Sequence, residues 1–145
     1  MFLTKGSEYG IKAAIFIASK SAEGHRVNVN EIAAAINSPI AYTAKIMQKL
    51  VKGNIIESTR GAQGGFEMIP EKIKGINLFQ IIKSIDGNEI EKKCVLGLDR
   101  CSSANPCPFH HKYISIRENT ITSLKNTNID ELATRLDNKF SVLIN

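Results

Sequence analysis

The 145-residue sequence carries 19 Lys+Arg against 14 Asp+Glu, a formal net charge of +5, and 43% hydrophobic residues. This length and composition predict one domain, or one small domain with an appendage, and exclude a disordered chain. The longest apolar run is six residues, Ala13–Ala18, whereas a membrane-spanning helix needs about 20. No membrane partner is therefore predicted. Residues 1–5 lack the apolar stretch and cleavage site of a signal peptide, so we expect a cytoplasmic protein.

Three helices are predicted in the first third of the chain. Apolar residues recur at helical spacing over residues 5–20. Asn28, followed three residues later by Glu31, forms a capping-box pattern that begins a second, short helix. Ser38-Pro39 then marks the start of a third helix, which runs to about residue 52.

The third helix has a basic face, because Lys45, Lys49 and Lys52 follow one another at helical spacing. A short helix, a tight turn and a helix with a basic face are typical of a helix-turn-helix. Two ordinary amphipathic helices with solvated lysines fit the same pattern. Residues 1–75 carry ten basic and six acidic residues, so most of the excess charge lies in this part of the chain.

A glycine-rich hairpin follows the third helix. Residues 54–59 and 65–69 read as strands, and the connection Arg60–Gly64 between them favours a β-hairpin. A hairpin directly after a helix-turn-helix is a wing, whose arginine can enter the minor groove of DNA. A loose turn is the plain alternative. A phosphate-binding loop is disfavoured, because neither its Lys-Ser/Thr pair nor a following helix start is present.

The second half predicts a helix at 76–85, a polar loop at 91–107, a long helix from Pro108 and a last helix at 129–136. An apolar stripe along the long helix exceeds what the small core can cover, so we expect a homodimer, although packing on its own domain is the alternative. The fold class is therefore mainly α with a small β-hairpin. Residues 1–75 form a winged helix-turn-helix domain, and residues 76–145 form a cysteine-loop sensor with a dimerisation helix.

All three cysteines, Cys94, Cys101 and Cys107, lie in the polar loop. Soft thiolates bind zinc, copper(I) or iron–sulfur clusters. The cysteine pairs typical of structural zinc sites are absent from the sequence, so the spacing favours an iron–sulfur cluster. Its fourth ligand is either His110, one helical turn after Cys107, or a carboxylate from elsewhere. Free thiols or a redox-sensing pair are the alternatives. A catalytic Cys-His pair has no legible third group, so no enzyme is predicted.

The sequence resembles the IscR/NsrR family of bacterial winged-helix transcription regulators. Four stretches carry the resemblance, and together with the helix after the loop they span most of the chain: Leu3-Thr4-Lys5…Glu8-Tyr9-Gly10-Ile11, Glu31-Ile32-Ala33, Arg60-Gly61-Ala62-Gln63-Gly64-Gly65-Phe66 and the three-cysteine loop. The resemblance implies a dimer that binds double-stranded DNA. It also implies that a cluster held by the three cysteines alters DNA affinity.

The resemblance supplies two candidates for the fourth ligand. His110 matches the histidine of IscR-like members. Glu8 lies where NsrR-like members place a carboxylate that reaches the cluster from the partner subunit. The choice between [2Fe–2S] and [4Fe–4S] stays open. The spacing between Cys94 and Cys101 is one residue longer than in many relatives, and a loop can accommodate this insertion.

Six residues are predicted to contact DNA: Ser38, Tyr42, Thr43, Lys45, Lys49 and Arg60. Arg60 matches the wing arginine of the family. Ser38 and the lysines are assigned to phosphates, which position a protein without reading sequence. Ala41 and Ala44 stand where IscR-like members carry a Ser and a Glu used in base readout, so a different operator is expected.

The predicted function is a DNA-binding transcription repressor whose operator affinity is modulated by an iron–sulfur cluster. Two alternatives remain. One is a cluster-free winged-helix regulator that senses thiol oxidation or a metabolite, and the other is a small metal or redox protein.

Overall fold

The computed structural model describes residues 3–136 and 143, and it confirms a mostly helical fold with a small two-stranded antiparallel sheet. The elements in chain order are α1 Lys5–Ala22, α2 Val29–Ile36, α3 Ile40–Lys52, β1 Glu57–Thr59, β2 Gly65–Glu67, α4 Pro70–Ile73, α5 Leu78–Asp86, α6 Glu89–Lys92, α7 His110–Lys125 and α8 Ile129–Arg135.

Helix α1 is the centre of the core, and α2, α3, α5 and α8 all pack against it. Its middle segment, residues 13–18, is buried throughout. Gly10 lets α5 approach closely, because a Cβ at this position would lie 2.0 Å from Ile85 Cδ1. Since α5 and α8 belong to the second half of the chain, one core unites residues from both sides of position 75.

The turn between α2 and α3 forms as local sequence rules dictate. The side chain of Asn28 accepts the Glu31 backbone N–H and the Glu31 side chain accepts the Asn28 N–H, so the predicted capping box is present. Asn37 then takes a left-handed conformation with φ 52° and ends α2. Helix α3 begins at Ile40, with Pro39 and not Ser38 at its N-cap.

The wing hairpin is confirmed, but its strands are shorter than predicted. Ser58 pairs with Phe66 in the β1–β2 ladder. Val27 adds a third backbone segment, because its N–H donates to the Phe66 oxygen at 3.0 Å and its oxygen accepts the Phe66 N–H at 2.7 Å. Gly65 at φ 138° permits this approach, since a Cβ there would lie 2.8 Å from the Val27 oxygen.

Two four-residue helices, α4 and α6, interrupt segments for which no helix was predicted. The long helix begins at His110, not at Pro108, because its first helical hydrogen bond runs from the Tyr113 N–H to the Phe109 oxygen. The His110 N–H bonds the Cys107 oxygen in a separate turn before the helix. Asn128 is the N-cap of the last helix, and the hydroxyl of Thr127 donates to the Ser123 oxygen of α7. None of the described helices is long and apolar enough to cross a bilayer.

Candidate functional site

Four of the predicted DNA-contacting residues lie at or near the surface, three of them on helix α3 and one just before it. Lys45 and Lys49 are exposed, and Tyr42 is 37% exposed. The Tyr42 ring is held edge-on against Tyr9 of α1, with centroids 5.7 Å apart. Ser38, just before the helix, is half-buried. This surface offers two cations and an aromatic ring held by α1, a set suited to phosphate and groove contacts.

The position of Thr43 does not fit the predicted DNA contact. Its side chain is 1% exposed. Its hydroxyl donates to the Pro39 oxygen at 2.8 Å and also hydrogen-bonds the Ser38 hydroxyl. Thr43 lies on the core side of α3, where its hydroxyl closes the first turn of the helix.

The wing carries Arg60 at an exposed position beside its tip. A second arginine, which the sequence analysis did not single out, braces the hairpin. Arg26 is ion-paired with Glu67 on β2, and its Nη1 donates to the Gln63 oxygen in the wing loop at 3.4 Å. In the sequence, the only indication of this role is that the charged Arg26 directly precedes Val27, a β-branched residue of the kind that favours strands.

The three cysteines converge, as predicted. Their sulfur atoms all lie within 4.8 Å of one another, and Cys94 Sγ lies 3.7 Å from Cys107 Sγ. Each cysteine is partly buried. Cys101 Sγ hydrogen-bonds His110 Nδ1 at 3.2 Å and accepts the Cys107 N–H at 3.4 Å. Three thiols and an imidazole thus meet at one point.

Backbone hydrogen bonds and burial give the thiols of Cys94 and Cys101 different pKa values. A hydrogen bond from the Leu98 backbone lowers the pKa of Cys94 to about 7, helped by the Leu96 backbone and by the other two thiols, against desolvation. For Cys101, the Cys107 N–H acts to lower the pKa. Desolvation and the neighbouring thiols outweigh that bond, so the pKa of Cys101 is raised.

A cavity of about 280 Å³ opens beside the sulfurs and is lined by His110, Tyr113 and Arg117 of α7. Because these three residues follow one another at helical spacing, the prediction of His110 as a ligand could have been extended to Tyr113 and Arg117 as neighbours on the same face of the helix. His110 Nε2 is buried and has no hydrogen-bond partner among the described residues. Glu8 is not among the described residues that line this cavity; on α1 it forms an ion pair with Lys5 at 3.2 Å.

Asp86, at the end of α5, lies between the two candidate sites. It lines one cavity with Cys94 and a second cavity with Tyr42 and Lys45. Thr4 Oγ1 and Ser7 Oγ both donate to Asp86 Oδ2 at 2.6 Å. The end of α5 therefore contacts the start of α1 and helix α3, and it borders a cavity that the cysteine loop also lines.

Helix α7 leaves an apolar surface uncovered. Within the described part of the chain, none of its residues is buried, and Ile116 is 49% exposed. Phe109, just before the helix, is also exposed and stacks on Tyr113 with centroids 6.2 Å apart. Phe109 and Ile116 are thus the exposed part of the predicted apolar stripe, whereas Tyr113, Thr120 and Leu124 are half-buried and α7 packs against α5.

Comparisons with known proteins agree on one class. The profile of the family described as Rrf2, iron-dependent transcriptional regulator, matches residues 3–135. A protein of Aquifex aeolicus assigned as an HTH-type transcriptional regulator is 32% identical over 108 residues, which cover 73% of this chain and 74% of that protein. The transcriptional regulator IscR of Pectobacterium atrosepticum is 24% identical over 132 residues, or 91% of this chain and 79% of its own.

Solved structures share the fold. CymR, the global cysteine regulator of B. subtilis, superposes with a TM-score of 0.74 at 24% identity, over 93% of this chain and 98% of its own. IscR of T. potens superposes with a TM-score of 0.70 at 19% identity, over 93% of this chain and 88% of its own. The winged-helix architecture predicted from the sequence is confirmed.

Proposed function

The chain belongs to the Rrf2 family of transcriptional regulators, and we propose that it is a homodimeric repressor whose DNA affinity depends on an iron–sulfur cluster. The convergence of the three cysteine sulfurs within 4.8 Å carries this proposal. Thiolates are the ligands that such clusters prefer, and Cys94, Cys101 and Cys107 would supply three of the four. When bound, the cluster supplies a redox-sensitive cross-link of the loop.

We propose His110 as the fourth ligand, ahead of Glu8. His110 lines the same cavity as the thiols, and its Nε2 is a buried nitrogen without a partner among the described residues. A buried polar atom in this state is costly unless something binds it. Glu8 already pairs with Lys5, and any contact with the cluster would have to come from a second copy of the chain.

The DNA-binding surface consists of Ser38, Tyr42, Lys45 and Lys49 around α3, together with Arg60 on the wing. In a dimer, two such surfaces would read two half-sites, with α3 in the major groove and the wing at the minor groove. The exposed side of α7, with Phe109 and Ile116, is the proposed dimer surface, because a second copy of the helix would cover these apolar side chains.

The end of α5 is the proposed connection between cluster and DNA. Asp86 borders both the cavity beside Cys94 and the cavity beside Lys45. A change of loop structure would shift the end of α5 and with it α3, which alters half-site geometry. Couplings of this kind are typically about 1–3 kcal/mol, or 5–150-fold in affinity.

Anaerobic purification or reconstitution, followed by absorbance spectra and iron and sulfide assays, tests the cluster. We expect a coloured protein, loss of colour in Cys94→Ser, and a changed spectrum in His110→Ala but not in Glu8→Ala. A colourless, iron-free wild-type protein would overturn the cluster proposal. Binding of loaded and cluster-free protein to a duplex operator, selected from random DNA, then tests the regulatory role.

A cluster-free regulator that responds to thiol oxidation is the second candidate. The contact between Cys94 and Cys107 and the lowered pKa of Cys94 favour it. A change in operator binding upon oxidation of protein that holds no iron, lost in a triple Cys→Ala variant, would support it. The third idea, a small metal or redox protein, is less favoured because the chain belongs to a family of transcriptional regulators. Complete absence of duplex DNA binding at all salt concentrations would restore it.

A further inference from the structure

We propose that cluster-free protein forms one specific disulfide, between Cys94 and Cys107, which leaves Cys101 as a free thiol. This inference rests on the proposed function only in that it concerns the same loop. It adds a second state of the site, in which two of the three cluster ligands are removed by a covalent bond.

The contact between the sulfur atoms of Cys94 and Cys107 favours this pair. Cys94 Sγ and Cys107 Sγ are 3.7 Å apart, so each must move by less than 1 Å to reach the bond length of about 2.05 Å. Thirteen positions separate the two residues, with Gly97 at φ 72° between them, so the loop can absorb this closure.

Cys101 is held away from this reaction. Its sulfur is engaged on one side by His110 Nδ1 at 3.2 Å and on another by the Cys107 N–H at 3.4 Å. A disulfide to Cys101 would break both contacts and leave both nitrogens of the partly buried His110 without a partner among the described residues. A disulfide between the other two cysteines preserves them.

The oxidant that the proposal requires is a hydroperoxide. One of the two sulfurs, as a thiolate, attacks a peroxide oxygen; an S–O bond forms while the O–O bond breaks, and the departing oxygen takes a proton and leaves as water or an alcohol. The second sulfur then attacks the first. The S–S bond forms, the S–O bond breaks, and hydroxide leaves with a proton as water. Two thiols lose two electrons, and one hydroperoxide gains them.

The protein offers a direct way to map the bond. Tryptic cleavage after Lys93, Arg100 and Lys112 places Cys94 on one peptide and the other two cysteines on the next. Reduced, chelator-treated protein is exposed to one equivalent of hydrogen peroxide, alkylated with N-ethylmaleimide and digested. We expect the two peptides to be linked, and fragmentation to find the maleimide on Cys101.

Three variants complete the test. Cys101→Ser keeps the linked peptides, whereas Cys94→Ser and Cys107→Ser lose them. A maleimide found on Cys107 instead, a disulfide within peptide 101–112, a disulfide between two chains, or sulfinic acids without any disulfide would each overturn the proposal.

Cluster reconstitution of the same reduced protein is scored separately. Protein that takes no iron but forms the bond refutes the cluster alone, and protein that takes iron but forms no bond refutes the disulfide alone.

Discussion

Ser7 donates its hydroxyl hydrogen bond to Asp86 at 2.6 Å, although 79 positions separate the two residues in the chain. Ser7 has 0% of its surface exposed, so no solvent can replace this acceptor. The bond fastens the start of α1 to the end of α5, beside the cysteine loop. The same carboxylate oxygen also accepts the hydroxyl of Thr4 at 2.6 Å.

Replacing Asp86 should therefore destabilise the protein through Ser7. We expect Asp86→Ala to lower the free energy of unfolding by about 1–3 kcal/mol, because a buried hydroxyl loses its acceptor. Urea denaturation measures the change. Asp86→Asn, which keeps an acceptor oxygen, should lose less. If Asp86→Ala costs the same in a Ser7→Ala background as in the wild type, the bond does not carry the effect.

A Cβ at Gly10 should be poorly tolerated because of the close approach of α5. We expect Gly10→Ala to lower the melting temperature and to cost about 1–3 kcal/mol, since its Cβ would overlap Ile85 Cδ1. Gly75→Ala is the matched control, because the nearest atom to its Cβ is at 3.6 Å. Adding Ile85→Val, which removes the overlapping atom, should recover part of the loss; no recovery would contradict the packing explanation.

Arg26 and Arg60 should affect DNA binding in different ways. Arg60→Ala removes a proposed DNA contact, so the slope of log affinity against log salt should fall by about 1. Arg26→Ala frees the wing from its ties to Glu67 and Gln63, so affinity should fall with the slope little changed. Fluorescence anisotropy across a salt series measures both. An equal loss of slope in the two variants would mean that Arg26 itself contacts phosphate.

Lys45 and Lys49 should also differ. Lys49 Nζ already donates to the Ile85 oxygen at 3.2 Å, whereas Lys45 has no hydrogen bond or ion pair among the described residues. We expect Lys45→Ala to reduce the salt slope by about 1 and Lys49→Ala to reduce it less. Lys74→Ala, away from α3, serves as the control. A larger slope change for Lys49 would show that its ammonium leaves Ile85 when DNA binds.

Ile116→Glu should separate the proposed dimer. The residue is 49% exposed in the single chain, so a charge there costs little in the protomer but is unfavourable in an apolar interface. Light scattering after size exclusion should show half the mass of the wild type, and operator binding should weaken. Ser115→Glu places the same charge one residue away, outside the apolar stripe. A dimer that survives Ile116→Glu would exclude this part of α7 from the interface.

Short-range patterns were enough to predict most elements. The capping box of Asn28 and Glu31, the spacing of apolar residues in α1 and the glycine connection of the wing each depend on a few neighbouring residues, and all three appear as expected. The exact ends of helices and strands were less predictable, as the start of α7 at His110 shows. Thr43 was predicted to contact DNA, but α3 packs with this side chain only 1% exposed.

The sequence by itself determined the class of protein: a winged helix followed by a three-cysteine loop and a helix with an apolar stripe. These features can be predicted from residue spacing, because the periodicity of helices and the residue preferences of turns depend on residues only a few positions apart. Only the tertiary structure decided which atoms meet. The bond from Ser7 to Asp86 joins segments 79 positions apart, and it depends on how α1 packs against α5. Within the cysteine loop, the contact of Cys94 with Cys107 and the engagement of Cys101 by His110 depend on the path of the loop backbone, which residue spacing alone does not specify.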